Sequence, residues 1–335
     1  MKKTKVGIIG LGRIGEVHLK TLTSQIEDVE VDTIITPSKE AQLIAKKMGV
    51  PHVSEDFEIL STNKEIEAVF ICSPSPTHAE YIIKSIKAGK DVFCEKPLDL
   101  SIAKIEEILA VVNQSEQSLM VAFNQRFDPD FSKIKETIEE GRLGKLRMVK
   151  ITSRDPTPPP ANYVKSSGGL FLDMTIHDFD MARFITGSEV KEVYAKGHCL
   201  IDPAIGEAGD IDTGIVVLTF ENGVTAIIEN SREACYGYDQ RLEVFGDKGM
   251  AQANHNLKNN CQIYDINGIH SARPLDFFID RYFESYVNET KAFVDAIKER
   301  KQMPVKGEDG LMATKIALAA NLSLKENRPV LMSEI

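Results

Sequence analysis

The N-terminal stretch Lys5–Gly15, which reads KVGIIGLGRIG, joins a short apolar run to a glycine motif. Gly10, Gly12 and Gly15 are spaced as G-x-G-x-x-G, and a helical pattern begins at Ile14. In this motif glycine allows a tight turn, the close approach of a pyrophosphate and close packing of the next helix, whose first N–H groups face the phosphates. Because the motif directly follows the first apolar run of the chain, it predicts a dinucleotide-binding unit.

The first third of the chain alternates short apolar runs with helical patterns, which is typical of a parallel sheet. Thr77 and Glu80 form a capping-box pattern, so a helix should begin at Thr77. We therefore predict a Rossmann domain, a doubly wound parallel sheet, in residues 1–123. Its strands are expected at Lys5–Gly10, Val29–Ile35, Ala68–Cys72, Asp91–Cys94 and Leu119–Phe123, and its helices at Ile14–Leu22, Ala41–Met48, Ala79–Ala88 and Ile102–Val112.

Residues 124–335 show strand patterns that mostly follow one another without helices, which indicates a large, mostly antiparallel sheet. We predict a second domain for substrate binding and oligomerisation, with an open-faced sheet flanked by helices, whose last helix, at about 307–325, could pack back on the Rossmann domain. Its strands are expected at Leu146–Ser153, Val190–Gly197, Thr213–Phe220, Val224–Asn230, Arg241–Phe245 and Gln262–Ile266, and its helices from Asp128-Pro129 and at Gly168–Ile185, Ile279–Arg300 and Gly310–Leu324.

Composition excludes several classes of function. Lys plus Arg is 40 and Asp plus Glu is 50 in the 335 residues, so the formal net charge is −10 and a nucleic-acid partner is not expected. We see no apolar run long enough to span a membrane. The five cysteines show no C-x-x-C spacing, which argues against a disulfide framework or a zinc ribbon and favours a cytoplasmic protein.

The end of the second strand leaves the choice between NAD and NADP open. An acid that holds the ribose hydroxyls is expected there, but Thr36 stands in its place. Ser38, Lys39 and Arg13 could donate to a 2′-phosphate, which favours NADP slightly. Alternatively, Thr36 or Ser38 bonds the ribose of NAD. The loop Cys72–His78 ends the third predicted strand, so it should line the cofactor, although His78 by itself is equally consistent with a surface histidine.

Two further segments carry chemistry. Glu95-Lys96-Pro97 follows a strand at the carboxyl edge of the sheet, where a lysine would face cofactor and substrate. Asp173 and His177 are four residues apart in a predicted helix, so they should share one face. A carboxylate beside a histidine holds its tautomer and stabilises its cation, as a general base requires. An ordinary helix-surface pair and a metal site that adds Asp180 are the alternatives, and we expect no metal.

These motifs together resemble the glucose–fructose oxidoreductase/inositol dehydrogenase/MocA superfamily. The resemblance rests on the glycine motif, on Glu95-Lys96-Pro97, on Asn124–Pro129, and on Gly168-Gly169 leading to Asp173 and His177. It covers nearly the whole chain in order and spacing. The segments most similar to inositol 2-dehydrogenases are Ser153–Pro156, Asp173–Arg183, Tyr236–Gln240 and Phe277–Tyr286. Thr36 and Gln125 depart from the family pattern, because members that prefer NAD usually have an acid at the first position and relatives often have a basic residue at the second.

The resemblance implies oxidation of a secondary alcohol on a cyclic polyol, with myo-inositol giving the 2-keto product, by a homotetramer that uses NAD, with NADP close behind. The implied catalytic set is Lys96, Asp173 and His177, with Arg126, Asp155 and Tyr236 on the substrate. Cofactor contacts are expected from Gly10, Gly12, Arg13, Ile14, Thr36, Ser38, Ser73, Pro74, His78, Glu95 and Lys96. The alternatives are an NADP-dependent aldose, keto-sugar or scyllo-inositol dehydrogenase, and a non-catalytic NAD(P)-binding regulator.

Overall fold

Six parallel strands form the sheet of the N-terminal half in the computed structural model, which describes residues 3–160, 163, 164 and 167–335. Their order is β3-β2-β1-β4-β5-β6, so the strand order reverses between β1 and β4, as in a doubly wound Rossmann sheet. The strands are β1 (Thr4–Ile9), β2 (Val29–Ile35), β3 (His52–Ser54), β4 (Ile66–Ile71), β5 (Asp91–Glu95) and β6 (Leu119–Ala122).

Five helices accompany this sheet in the first half of the chain. They are α1 (Arg13–Ser24), α2 (Lys39–Lys47), α3 (Glu58–Thr62), α4 (His78–Lys87) and α5 (Ile102–Asn113). All five strands and four helices expected from the sequence are confirmed within a few residues. The short elements β3 and α3 were not predicted, because three to five residues are too few to show a period.

The helix expected at Thr77 begins at His78, but the capping-box prediction was wrong in its hydrogen bonds. Thr77 has a helical backbone and its side chain makes no cap hydrogen bond. Its hydroxyl instead donates to the carbonyl of Pro74 at 2.7 Å and lies 2.7 Å from the Ser73 hydroxyl. The short 3₁₀ turn Ser75–Thr77, which directly precedes α4, satisfies these groups within the loop.

The second sheet has seven strands in the order β12-β11-β7-β10-β9-β8-β15. All of its neighbours are antiparallel except β7 and β10, so the expectation of a mostly antiparallel sheet is confirmed. Its strands are β7 (Leu146–Arg154), β8 (Val190–His198), β9 (Thr213–Phe220), β10 (Thr225–Ser231), β11 (Asp239–Gly246), β12 (Met250–Ala253) and β15 (Val330–Leu331); β13 (Gln262–Asp265) and β14 (Gly268–Ser271) form a separate hairpin.

Helices α6 and α8 pack on one face of this sheet, against β12 and β7 respectively. The other face presents half-exposed apolar side chains, among them Met148, Ile215 and Phe245. The helices are α6 (Pro129–Glu139), α7 (Gly169–Asp173), α8 (Ile176–Thr186), α9 (Pro203–Glu207), α10 (Phe278–Arg281), α11 (Phe283–Glu299) and α12 (Gly307–Glu326). None of the helices in the described part of the chain has both the length and the apolar composition that a membrane crossing requires.

The chain divides into two units, and a single boundary after residue 123 does not describe them. Unit 1 comprises Met1–Phe127 and Glu284–Met312, and unit 2 comprises Asp128–Phe283 and Ala313–Ile335. Within unit 1, the aromatic rings of α11 pack on the Rossmann sheet: Phe293 lies 5.3 Å from Phe70 between ring centroids. The first turn of α12 also belongs to unit 1, where Gly307 allows close contact with Leu109.

The single helix expected at Gly168–Ile185 is two helices. The chain leaves the helical path after Asp173, where the N–H groups of Met174 and Thr175 both donate to the carbonyl of Leu170 at 3.0 Å. The Thr175 hydroxyl, in the residue directly before the second helix, donates to the Asn230 side chain at 2.8 Å. Asp173 and His177 therefore do not share one face of one helix, as their spacing had suggested.

Candidate active site

The glycine motif lies at the point where the order of the Rossmann strands reverses, beside the loop that follows β4. Gly10 has a φ of +86°, and a Cβ atom there would lie 2.6 Å from the Ser73 backbone. At Gly15 a Cβ would meet the Gly10 carbonyl at 2.3 Å, so the packing of α1 requires glycine. Around Gly12, by contrast, a Cβ would meet nothing within 4 Å. This open space beside the N-terminus of α1 fits the pyrophosphate of a dinucleotide.

The first two residues of α1 are those expected to contact the cofactor. Arg13 is exposed and Ile14 is half-buried. Both lie next to the open space at Gly12, which is the N-cap residue of α1. The expectation for these two residues is therefore consistent with their position and stays a prediction.

The end of β2 offers less to a 2′-phosphate than the sequence suggested. The hydroxyl of Ser38 accepts from the N–H of Ala41 and caps α2, and the buried Thr36 hydroxyl accepts from the N–H of Ser38 at 3.4 Å. Lys39 pairs with Glu55, which comes just after β3. The cation that favoured NADP is thus in an exposed ion pair with a carboxylate that the β2 sequence does not show. This arrangement favours NAD.

His78 links the two loops that line the cofactor edge of unit 1. Its Nδ1 lies 2.7 Å from the carbonyl oxygen of Pro97 and its Nε2 lies 2.7 Å from that of Ser73. The ring is 1% exposed, so the surface-histidine alternative is wrong. Burial holds the pKa of His78 below its ordinary value, although both carbonyls favour the protonated ring. The position of Ser73 and Pro74 is therefore tied to the segment that carries Lys96, and the Lys96–Pro97 bond is cis.

Glu95 contacts a buried histidine of α1 with its side chain. The Nε2 atom of His18 lies 2.7 Å from the Glu95 carboxylate, and His18 is fully buried among aromatic rings. Glu289 of α11 is fully buried too, and burial together with the charge of Glu95 raises its pKa well above the ordinary value. Glu95 is therefore engaged inside unit 1, while the neighbouring Lys96 is half-buried. A cofactor contact by Glu95 stays a prediction.

Arg126, expected on the substrate, is engaged with a carboxylate of its own unit. Its Nη2 lies 3.0 Å from Asp309 in the first turn of α12. Arg126 belongs to the 3₁₀ turn Asn124–Phe127, and its side chain is 9% exposed. Its role toward the substrate stays a prediction.

Asp155 and Asp173 are brought together by Arg232. The guanidinium donates from Nη1 to Asp155 at 3.2 Å and from Nη2 to Asp173 at 2.9 Å. The other carboxylate oxygen of Asp173 accepts from the Tyr163 hydroxyl at 2.9 Å. Sequence reasoning missed Arg232, because 59 residues separate it from Asp173 along the chain.

His177 is half-buried in the first turn of α8, and its neighbour Asp178 is buried against the sheet. Asp178 accepts hydrogen bonds from Ser153 at 2.6 Å and from Asn230 at 2.7 Å. Burial raises the pKa of Asp178 from 3.8 to about 7, against these two hydrogen bonds. Asp178 thus anchors α8, and with it His177, to the sheet.

The structure places Tyr236 on the other face of the second sheet. Its hydroxyl accepts from Arg154 at 2.8 Å and donates to Asp239 at 2.6 Å. Arg154 follows Ser153 in β7, so the two side chains point to opposite faces, and Ser153 contacts Asp178 of α8. The structure therefore does not bring the Tyr236 hydroxyl to α8, and its contact with the substrate stays a prediction.

Among the residues that the structure describes, no group of three or more histidine, cysteine, aspartate or glutamate side chains could hold a metal ion. The charged side chains that gather in unit 2 instead pair with one another, as Arg232 does with Asp155 and Asp173. The chemistry available to these side chains is proton transfer and hydrogen bonding to hydroxyl groups.

Two family models match the chain. Residues 4–123 match the model described as "Oxidoreductase family, NAD-binding Rossmann fold", and residues 131–252 match the "GFO/IDH/MocA C-terminal domain". The "Myo-inositol 2-dehydrogenase" of Thermotoga maritima is 45% identical over 333 residues, covering 99% of each chain. The "Inositol 2-dehydrogenase" of Rhizobium meliloti is 43% identical, covering 97% of this chain and 98% of its own length.

A solved structure of scyllo-inositol dehydrogenase from Lactobacillus casei, with NAD(H) and scyllo-inositol bound, superimposes with a TM-score of 0.93. It is 34% identical, and the match covers 99% of this chain and 100% of that chain. The resemblance drawn from the motifs and the expected fold class are both confirmed by these matches.

Proposed function

We propose that this chain, which belongs to the GFO/IDH/MocA oxidoreductase family, is an inositol 2-dehydrogenase that oxidises a secondary alcohol of a cyclic polyol with NAD. The observation that carries the proposal is the 45% identity, over 99% of both chains, to a protein named myo-inositol 2-dehydrogenase. The pair of carboxylates at Arg232 supports it, because a polyol offers many hydroxyl donors and a site must bond them to distinguish epimers.

The chain fits NAD in unit 1. The open space at Gly12 and the capped start of α2 accommodate a dinucleotide, and the pairing of Lys39 with Glu55 favours a ribose without a phosphate. When bound, NAD supplies the hydride acceptor at its nicotinamide ring. Use of NADP, which the absence of an acid at Thr36 first suggested, stays a weaker prediction.

The roles that we propose for the catalytic residues follow from their chemistry. His177 removes the proton of the substrate hydroxyl as a general base. Asp173 offsets the positive charge that His177 gains. Lys96 orients the oxygen and favours the developing alkoxide. Asp155 accepts a hydrogen bond from another hydroxyl of the polyol.

The reaction is tested by reduction of the cofactor, followed by the absorbance of the reduced nicotinamide. Myo-inositol, scyllo-inositol and glucose are each supplied with NAD and with NADP. We expect reduction with an inositol and NAD, with myo-inositol preferred. Scyllo-inositol is the second candidate, because a scyllo-inositol dehydrogenase shares the fold at a TM-score of 0.93. A preference for glucose, or no reduction with any of the three, would refute the proposal.

We also propose that the protein works in the cytoplasm, in inositol catabolism, as a homotetramer. The five free cysteines support a reducing compartment. The half-exposed apolar side chains Met148, Ile215 and Phe245 on the outer face of the second sheet support burial against another copy. Cell fractionation tests the compartment, and sedimentation tests the assembly; a stable monomer at micromolar concentration would contradict the tetramer.

A further inference from the structure

We propose that Arg232 is the positioning residue of this site and that its guanidinium sets the spacing and the ionisation of Asp155 and Asp173. The inference rests on the proposed function, in which Asp155 binds a hydroxyl of the polyol and Asp173 offsets the charge of the catalytic His177. It adds a residue that lies outside the motifs of the sequence analysis, and it depends only on contacts within unit 2.

Backbone hydrogen bonds hold Arg232 and Asp155 in place at the ends of neighbouring strands. Its N–H donates to the carbonyl of Asp212 at 2.8 Å, while the N–H of Asp155 donates to the carbonyl of Ser231 at 2.9 Å. Asp155 and Arg232 therefore follow the ends of β7 and β10, which are parallel neighbours. Since Asp173 is the last residue of α7, the guanidinium joins this helix end to the edge of the sheet.

The guanidinium is less exposed to solvent than either of the two carboxylates that it contacts. The Arg232 side chain is 5% exposed, whereas those of Asp155 and Asp173 are 21% and 12% exposed. The cation is thus enclosed and the two carboxylates reach toward solvent. A flat guanidinium with a fixed fork can hold two carboxylates at a set distance, which the point charge of a lysine cannot.

The charges around Arg232 explain why a cation is required. Two further carboxylates interact electrostatically with this group. Asp210 interacts with the charges of Arg232 and Asp173, and Asp178 on α8 interacts with the charge of Asp155. Burial opposes the charge of Arg232, but Asp173 and Asp155 raise its pKa, so the guanidinium stays protonated. Arg232 donates to both Asp155 and Asp173, so removal of its charge favours the protonated form of these carboxyl groups.

This proton uptake has a consequence for catalysis. A protonated Asp155 or Asp173 no longer offers the same acceptor oxygens to the polyol or the same charge to His177. Loss of such a charge-assisted bond corresponds to about a tenfold or greater loss of affinity. Arg232 thus acts through the two carboxylates, without contact to the reacting atoms.

The test compares Arg232→Met and Arg232→Lys with Arg183→Lys as a matched control. Arg183 lies further along α8, and its guanidinium also contacts a carboxylate, that of Glu189, through two nitrogen atoms. We measure kcat and KM for inositol, KM for NAD, and the pH profile of kcat/KM. For Arg232→Met we expect a KM for inositol raised about tenfold or more, an acid limb moved to higher pH, and an unchanged KM for NAD.

Arg232→Lys keeps the charge without the fork, so we expect the acid limb to return toward that of the wild type while KM stays raised. Arg183→Lys should stay within about twofold of the wild type. If both Arg232 variants keep the wild-type KM and pH profile, or lose kcat uniformly with an unmoved acid limb, Arg232 is merely structural and the inference is overturned. Should Arg232→Met fail to fold, the KM of Arg232→Lys decides alone.

A titration without substrate separates this inference from the proposed function. Carboxyl titration by NMR on aspartate labelled with ¹³C, with Asp155→Asn and Asp173→Asn to assign the signals, should show a higher pKa for at least one of the two in Arg232→Met. If the wild type oxidises no polyol but this pKa rises, the proposed function fails and the role of Arg232 in ionisation stands. If inositol is oxidised and neither pKa moves, the inference alone fails.

Discussion

Asp178→Asn should make the protein more stable at alkaline pH and leave it nearly unchanged at acid pH. Asp178 is 1% exposed and lies between Ser153 and Asn230 on the helix-covered face of the second sheet. Burial raises its pKa from 3.8 to about 7. Between these two values the folded protein binds more protons than the unfolded chain, so stability falls as the pH rises through this range.

The size of the effect follows from the two pKa values. The difference between 3.8 and about 7, at about 1.4 kcal/mol for each pH unit, corresponds to about 4 kcal/mol of unfolding free energy. Asparagine has the same shape and stays neutral at every pH. Its amide oxygen can accept from Asn230, and its N–H can donate to the Ser153 hydroxyl.

The assay is urea unfolding of wild type and variant at several values between about pH 5 and about pH 8, at one protein concentration and without cofactor, because ligand and subunit binding shift apparent stability. We expect the unfolding free energy of the variant, relative to that of the wild type, to rise by a few kcal/mol from the acid to the alkaline end of this range. If the difference in unfolding free energy between the variant and the wild type does not change with pH, the conclusion that Asp178 is neutral in the folded protein is refuted.

Asp212→Asn is a control for which we expect the opposite change of stability with pH. Burial opposes ionisation of Asp212, but N–H groups of Leu200, Ile201 and Asp202 donate to it, and its pKa is lowered. Its contribution to stability is therefore present above its unfolded pKa and is lost as the pH falls. We expect Asp212→Asn to be less stable than the wild type at neutral pH, with the difference shrinking in acid.

Three further outcomes are expected. Lys96→Ala and His177→Ala should each lower kcat by about 100-fold or more while NADH binding, followed by the fluorescence of the reduced nicotinamide, persists; near-normal turnover in either would refute its role. Thr36→Asp should weaken NADP far more than NAD in kcat/KM, because the added carboxylate repels a 2′-phosphate; if the wild type already rejects NADP about a thousandfold, charge at this loop does not set the choice. Glu289→Gln should gain stability on the wild type as the pH rises above 4.5, since burial raises the pKa of Glu289; equal slopes in chemical unfolding would contradict this.

Most of the fold could be predicted from the sequence because its signals are local. The glycine spacing at Gly10 and Gly12, the apolar runs and the Asp128-Pro129 start of α6 each act over a few residues. In the structure Asp128 accepts from the N–H of Asp130 and Phe131, as an N-cap should. The alternation of strand and helix then leaves few arrangements for a parallel sheet, and the Rossmann order is the one observed.

The site could be predicted only in its residue types. Lys96, Asp173 and His177 are candidates by motif, but the spacing of Asp173 and His177 predicted one helix, whereas the structure has two, with Thr175 bonded to Asn230 between them. That partner lies 55 residues further along the chain, so no local period could show it.

The sequence by itself determined most of the longer strands and helices and that a dinucleotide binds at their glycine turn, because these depend on neighbours in the chain. Only the tertiary structure decided that Glu55 pairs with Lys39, that Glu95 contacts His18, and that Arg232 joins Asp155 to Asp173. These pairs are brought together when sheets and helices pack, and a buried polar group such as His18 or Arg232 requires a partner, which the packing supplies from a distant part of the chain.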